Sequence, residues 1–321
     1  MRRFRERRKR LAARTLLPFA ALTTTTMLTA IAGTPASSAN ARIDASARSV
    51  TYGERVALRG SFAGAADAPI ELHHRAKGSQ AWRLVRHART GAEGRYSVRV
   101  KPRASGYWRA TLGEQPVTQA AGDGEAAPSP TADRSSGDTR IVVRSRTRAS
   151  IAGKHATVGD TVKVRGRVAP TGAERRVVVR VGGSKESTTA RADGRFAVSW
   201  RAGSTGTRKV KVVAGANRVA AGSRTKAGRV TVYRRAAASW YGPGLYGNRT
   251  ACGGTLTPST LGVAHKSMPC GTKLRLRYGG RSTAVRVIDR GPYSGNREFD
   301  LTAATKQKLG FPDTGTVLTS K

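Results

Sequence analysis

Thr250-Ala251-Cys252-Gly253-Gly254, then Ala264-His265 with Pro269-Cys270-Gly271, then Asp289-Arg290-Gly291-Pro292 followed by Phe299-Asp300-Leu301-Thr302: these segments decide the reading of the C-terminal third. They set an imidazole and two carboxylates in turns marked by Gly and Pro. Short apolar alternations run between them, Lys273 to Tyr278 and Thr283 to Ile288, with Gly279-Gly280 at the hairpin. A terminal strand is expected over Thr316 to Thr319. One helix is expected, capped by Thr302, running from Ala303 to Leu309 and stopped by Gly310. Lys306 and Lys308 suit its negative C-terminal end. The pattern describes a site carried on a small β-barrel.

Outward from there, the chain's two cysteines, Cys252 and Cys270, both fall in this module. In an exported chain a lone pair is most simply a disulfide, closing a loop worth about 3 kcal/mol on the chain-entropy model. The alternatives are a reactive thiol or a metal site, but zinc would need two further soft ligands at short spacing, which the sequence lacks. Residues 1–39 read as an export signal. A basic head (Arg2 to Arg10) precedes a Thr-diluted apolar stretch, and small residues at Ser37, Ala39 and Ala41 fit cleavage. An uncleaved membrane anchor is the alternative, and the Thr content argues against it. The expected location is therefore secreted or at the cell wall, with no stable membrane insertion after cleavage.

The formal net charge is +40, from 59 Lys and Arg against 19 Asp and Glu. Such a surface ordinarily suggests nucleic acid. Export redirects the expectation to anionic wall polymers and argues against a nucleic-acid partner; compositional bias with solvated strand faces is the other reading. His73, His74 and His87 suggest a metal site, but neighbours on a strand face opposite ways, so His73 and His74 cannot easily share one ion; these three and His155 are expected to be surface histidines. No cofactor or metal is indicated.

Two stretches upstream resemble each other. Tyr52-Gly53-Glu54 leading into Val56 to Gly60 matches Val158-Gly159-Asp160 leading into Val162 to Gly166, and Glu93-Gly94-Arg95-Tyr96 matches Asp193-Gly194-Arg195-Phe196. The acid-Gly dipeptides read as hairpin turns, and a period near one hundred residues is the size of a sandwich. The chain is therefore expected to be mainly β: two immunoglobulin-like β-sandwiches over 42–112 and 141–233, a flexible linker over 113–140, and a six-stranded barrel with one short helix over 238–321. The two repeats look like bacterial immunoglobulin-like surface domains, which implies spacing or adhesion and not chemistry.

Trp240-Tyr241-Gly242, Thr250-Ala251, Ala264-His265 with Pro269 and Gly271, Asp289 to Pro292 and Asp300-Leu301 together resemble the rare lipoprotein A family of double-psi β-barrels. That family includes septal lytic transglycosylases, and expansins share the barrel. The resemblance implies cleavage of peptidoglycan glycan strands between N-acetylmuramic acid and N-acetylglucosamine, leaving a 1,6-anhydro sugar. It implies Asp289 as the acid and base, His265 as a group orienting substrate or Asp289, and Asp300 as a second candidate acid. Asp300 bonding turn amides is an equal alternative for that residue. Arg290 is expected to shape its turn or contact glycan, and Tyr241, Tyr293 and Trp240 are candidate sugar-binding aromatics. Many members carry an acid two residues after the position of Cys252, where this chain has Gly254. A non-catalytic, expansin-like module that loosens wall polysaccharide is the alternative function.

Overall fold

The computed structural model describes residues 41–113 and 134–321. The export-signal segment over 1–39 lies outside the described residues. The first sandwich comprises β1 (Ala41–Ala45), β2 (Ser49–Thr51), β3 (Val56–Phe62), β4 (Pro69–Ala76), β5 (Arg83–Arg89), β6 (Arg95–Val100), β7 (Gly106–Leu112) and β8 (Thr139–Arg144). Its sheets run β1-β3-β6 and β2-β8-β7-β4-β5. The second comprises β9 (Arg146–Ala152), β10 (His155–Thr157), β11 (Thr161–Ala169), β12 (Arg175–Val181), β13 (Ser184–Ala190), β14 (Arg195–Arg201), β15 (Gly206–Ala214) and the first part of β16 (Ser223–Tyr241). Its sheets repeat the order strand for strand, β9-β11-β14 and β10-β16-β15-β12-β13. Alternation such as Val177, Val179 and Val181 buried beside exposed Arg176 and Arg180 fills each core from inward-facing positions.

Two expectations change here. Residues 139–144 form β8, which pairs with β7 of the first sandwich through Tyr107 and Arg140. The stretch expected to tether the sandwiches therefore connects neighbouring strands within the first one. Residues 114–133 of it lie outside the described residues. The acid-Gly turns are also not hairpins. Glu93-Gly94 and Asp193-Gly194 precede β6 and β14, which lie in the opposite sheet from β5 and β13. Gly94 (φ 70°) sits so close to the Phe62 carbonyl that a side chain would collide with it, and Gly194 meets the Val168 carbonyl the same way. Glycine is needed there for a sheet-to-sheet crossing, a need that local sequence shares with a hairpin.

The sandwich connects to the barrel without a loop. β16 pairs with β10 through Thr231, Val232 and Tyr233, then with β21 (Gly315–Thr319) from Arg234 onward. The remaining barrel elements are β17 (Val263–Ala264), β18 (Lys273–Tyr278), β19 (Arg281–Asp289), β20 (Phe299–Thr302) and α1 (Ala303–Leu309). The order β16-β20-β17-β19-β18-β21, with β21 returning to β16, closes a six-stranded ring. Val263, Leu276, Val287, Phe299, Leu301 and Val317 fill it. The helix forms as expected: the Thr302 side chain accepts from Thr305 N, and Gly310 (φ 65°) ends it in the left-handed region. Among the described residues no helix is long and apolar enough to cross a membrane.

Candidate functional site

The site is built around the shortest strand. β17 lies between β19 and β20, so Ala264 pairs with Asp289 on one side and Asp300 on the other. Entry into β17 requires Gly262, because a side chain there would run into Ile288 at 2.4 Å. The buried hydroxyls of Thr302 and Thr305 donate to the Gly262 carbonyl at 3.2 and 3.0 Å, tying the strand to the helix start. Across the next pairing, Asp300 is opposite Ser239 and Thr302 opposite Tyr241. Register partners project to one face of a sheet, so Ser239, Tyr241, Asp289 and Asp300 share the side away from the apolar core. The insertion of β17 between β19 and β20 thus gathers the two carboxylates, with β16 alongside.

Asp289 is half-buried. Its Oδ1 accepts from Ala251 N at 2.8 Å and from its neighbour Arg290 N at 2.9 Å. Both donors fall on one oxygen. Asp300 accepts a bond from the Ser239 hydroxyl, which is side chain to side chain and not a helix cap, since the cap is Thr302. The Tyr241 hydroxyl is buried without a hydrogen bond of good geometry. Burial pushes it far above the usual phenol range, and the negative charges of Asp289 and then Asp300 add to this. Tyr241 is therefore a neutral O–H held among two carboxylates.

His265 lies beside these groups but its ring faces another way. Nδ1 accepts from Ser267 N at 3.1 Å and Met268 N at 2.9 Å, so the neutral ring carries its proton on Nε2. Nε2 lies 3.7 Å from Glu298, and the ring packs on Phe299. Burial lowers the His265 pKa below 6.5, with Glu298 opposing and Arg234 and Arg290 assisting. Only the His265 backbone contacts Asp289, donating N–H to its carbonyl at 3.2 Å. Glu298 was not singled out from sequence. It takes two bonds from Arg234, one at 2.7 Å, and the only local signal was its place just before Phe299-Asp300.

Arg290 is committed to its loop: its guanidinium donates to Met268 O at 3.0 Å, His265 O at 3.4 Å and the Cys270 sulfur at 3.2 Å. Cys252 and Cys270 form a disulfide with Cα atoms 5.4 Å apart. It fastens the turn bearing Ala251 to the loop bearing Pro269. Trp240 is not free to stack on a sugar, because Lys306 covers its ring at 3.9 Å and Asp313 takes its indole N–H. Tyr293, 80% exposed after Gly291-Pro292, is open. Gly254 has φ 83°, a conformation costly for an acidic residue.

Among the remaining histidines, His73 and His87 contact Glu71. His74 departs from a surface placement: its ring is half-buried against Trp108 at 4.8 Å, and burial lowers its pKa.

Residues 233–319 match the protein family described as "Lytic transglycolase". The chain is 41% identical over 80 residues to a Synechocystis protein named probable endolytic peptidoglycan transglycosylase RlpA, covering 24% of this chain and 25% of that protein. It is 42% identical over 81 residues to the Neisseria meningitidis serogroup A protein named endolytic peptidoglycan transglycosylase RlpA, covering 25% and 34%. The Pseudomonas aeruginosa UCBPP-PA14 protein of that name gives 42% over 81 residues, covering 25% and 24%. The chain thus spans a quarter to a third of the length of these curated relatives. With the closed ring and the carboxylates around β17, the C-terminal module over residues 233–319 is an RlpA-like double-psi β-barrel.

Proposed function

We propose that this protein is an exported lytic transglycosylase that cleaves peptidoglycan glycan strands during wall remodelling. The observation carrying this reading is Asp289: half-buried, with both backbone donors on Oδ1, and close to the neutral Tyr241 hydroxyl and Asp300. In the reaction Asp289 protonates the glycosidic oxygen as the bond to the anomeric carbon breaks. The C6 hydroxyl of the same sugar attacks that carbon and gives its proton to the now ionised carboxylate. No water is consumed, the product is a 1,6-anhydro sugar, and one carboxyl serves both steps, unlike the paired scheme of hydrolases. Tyr241 and Asp300 orient the sugar, Tyr293 offers a ring face to it, and His265 with Arg290 holds the loop between them.

The second reading, a non-catalytic module that binds and loosens wall glycan, is favoured by one observation. Gly254 stands where many members of the resembled family carry an acid. Digesting sacculi with the mature protein and examining the soluble fraction by mass spectrometry separates the two. Anhydro-muropeptides that disappear with Asp289→Asn support the first; glycan binding without soluble products supports the second. Retention at the wall through the basic surface, by contact with anionic wall polymers, belongs to either reading.

A further inference from the structure

On the outer face of the second sandwich, four cations stand in one line across four strands. Lys185 of β13 pairs with Arg180 of β12, Arg180 with Lys211 of β15, and Lys211 with Lys226 of β16. All four are exposed, and among the described residues none has an acidic partner or a side-chain hydrogen bond. Like charges directly opposite each other on a sheet destabilise it. The row spans about 14 Å at the usual strand spacing. A groove of about 410 Å³ lies along three of the four, Arg180, Lys211 and Lys226, with Val213 and Arg224 in its wall.

The matching sheet of the first sandwich differs in holding two groups of basic side chains that each gather around a carboxylate, a feature the row lacks. Glu71 lies between His73 and His87, and Asp138 between Arg75 and Arg109. We infer that the Lys185–Arg180–Lys211–Lys226 row is a docking strip for a linear phosphodiester polymer, laid across the strands. A phosphodiester keeps one negative charge over two free oxygens, so each can bridge neighbouring cations, and Arg adds a planar fork. The row runs straight across the strands, flanked by Arg224 on one side and by the Lys209–Arg229 pair on the other, a narrow strip that fits a single extended chain. This gives a place to the wall-retention reading of the basic surface, on which it rests, and does not depend on the barrel's chemistry.

The test is binding of the mature protein to long-chain inorganic polyphosphate, by fluorescence anisotropy over a salt series. Polyglutamate and vesicles containing anionic lipid are run alongside. The variants are Arg180→Gln/Lys211→Gln/Lys226→Gln and a control of equal charge loss on the first sandwich, Arg59→Gln/Arg83→Gln/Arg99→Gln. The row variant should bind polyphosphate more than about tenfold more weakly at low salt, and its log–log salt slope should fall by about two, while the control changes little. The row variant alone should also have a higher Tm than wild type without ligand, and lose the Tm gain that polyphosphate gives wild type. Equal weakening in both variants overturns the row assignment and leaves diffuse charge as the cause of binding. Equal or tighter binding of polyglutamate or vesicles overturns the phosphodiester assignment. No wild-type binding to any of the three overturns the retention reading together with the row.

Discussion

In Asp289 the two backbone donors and the free oxygen do different work, and substitution can separate them. Asparagine keeps an acceptor for Ala251 N and Arg290 N, so Asp289→Asn should fold like wild type by circular dichroism. It should lose anhydro-product formation by about a hundredfold or more, the usual size of a general acid contribution. A variant that keeps full activity would remove Asp289 from the reaction. His265 makes a different prediction. Its folded pKa lies below the unfolded value of 6.5, so the unfolded chain binds the proton more readily. Its contribution to stability is full above pH 6.5 and falls as the pH drops toward the folded value. Imidazole NMR should show a ring that titrates below 6.5, because burial disfavours its charged form, and that carries its proton on Nε2, because Nδ1 accepts from Ser267 N and Met268 N. A ring charged at pH 7 would overturn that placement.

At the scale of elements, β17 is two residues long and is held by what surrounds it. Gly262→Ala forces a methyl against Ile288 and should destabilise the barrel by about 1–3 kcal/mol in urea denaturation. Thr302→Val removes both the helix cap and a buried bond to the Gly262 carbonyl, at about 1–2 kcal/mol. The disulfide acts on a separate loop. Replacing Cys252 and Cys270 by Ala should lower barrel stability by about 3 kcal/mol while leaving the helix and the ring in place. The helix was legible in the sequence because its cap, its lysines and Gly310 all act within a few residues. The acid-Gly turns were misread because local chemistry demands glycine equally for a hairpin and for a crossing between sheets.

At the scale of the molecule, one strand belongs to two cores. β16 changes partner between Tyr233 and Arg234, with Tyr233 fully buried and bonded to His155 at 3.1 Å. Arg234, the first barrel residue after that change, carries the bonds to Glu298. The sandwich and the barrel should therefore unfold together. Inserting Gly-Ser-Gly between Tyr233 and Arg234 should split their calorimetric transition into two; a wild type that already shows separate transitions would contradict the coupling. The first sandwich also abuts the second closely, since only Ser145 separates β8 from β9 and its N–H donates to Ala221 O at 2.9 Å.

Composition, alternation and capping are local properties, so the sequence by itself determined that the chain is mainly β, that two sandwiches repeat, and that a barrel with one helix follows. It also determined the cysteine pair and the order of the site motifs. Tertiary structure alone decided that β8 completes the first sandwich, that His265 turns to Glu298 instead of the Asp289 carboxylate, and that Arg290 is bound to its own loop. The physical reason is that strand partners are chosen by which apolar faces can be buried together, and side-chain partners by which donors that packing leaves unpaired. Neither depends on residues near in sequence.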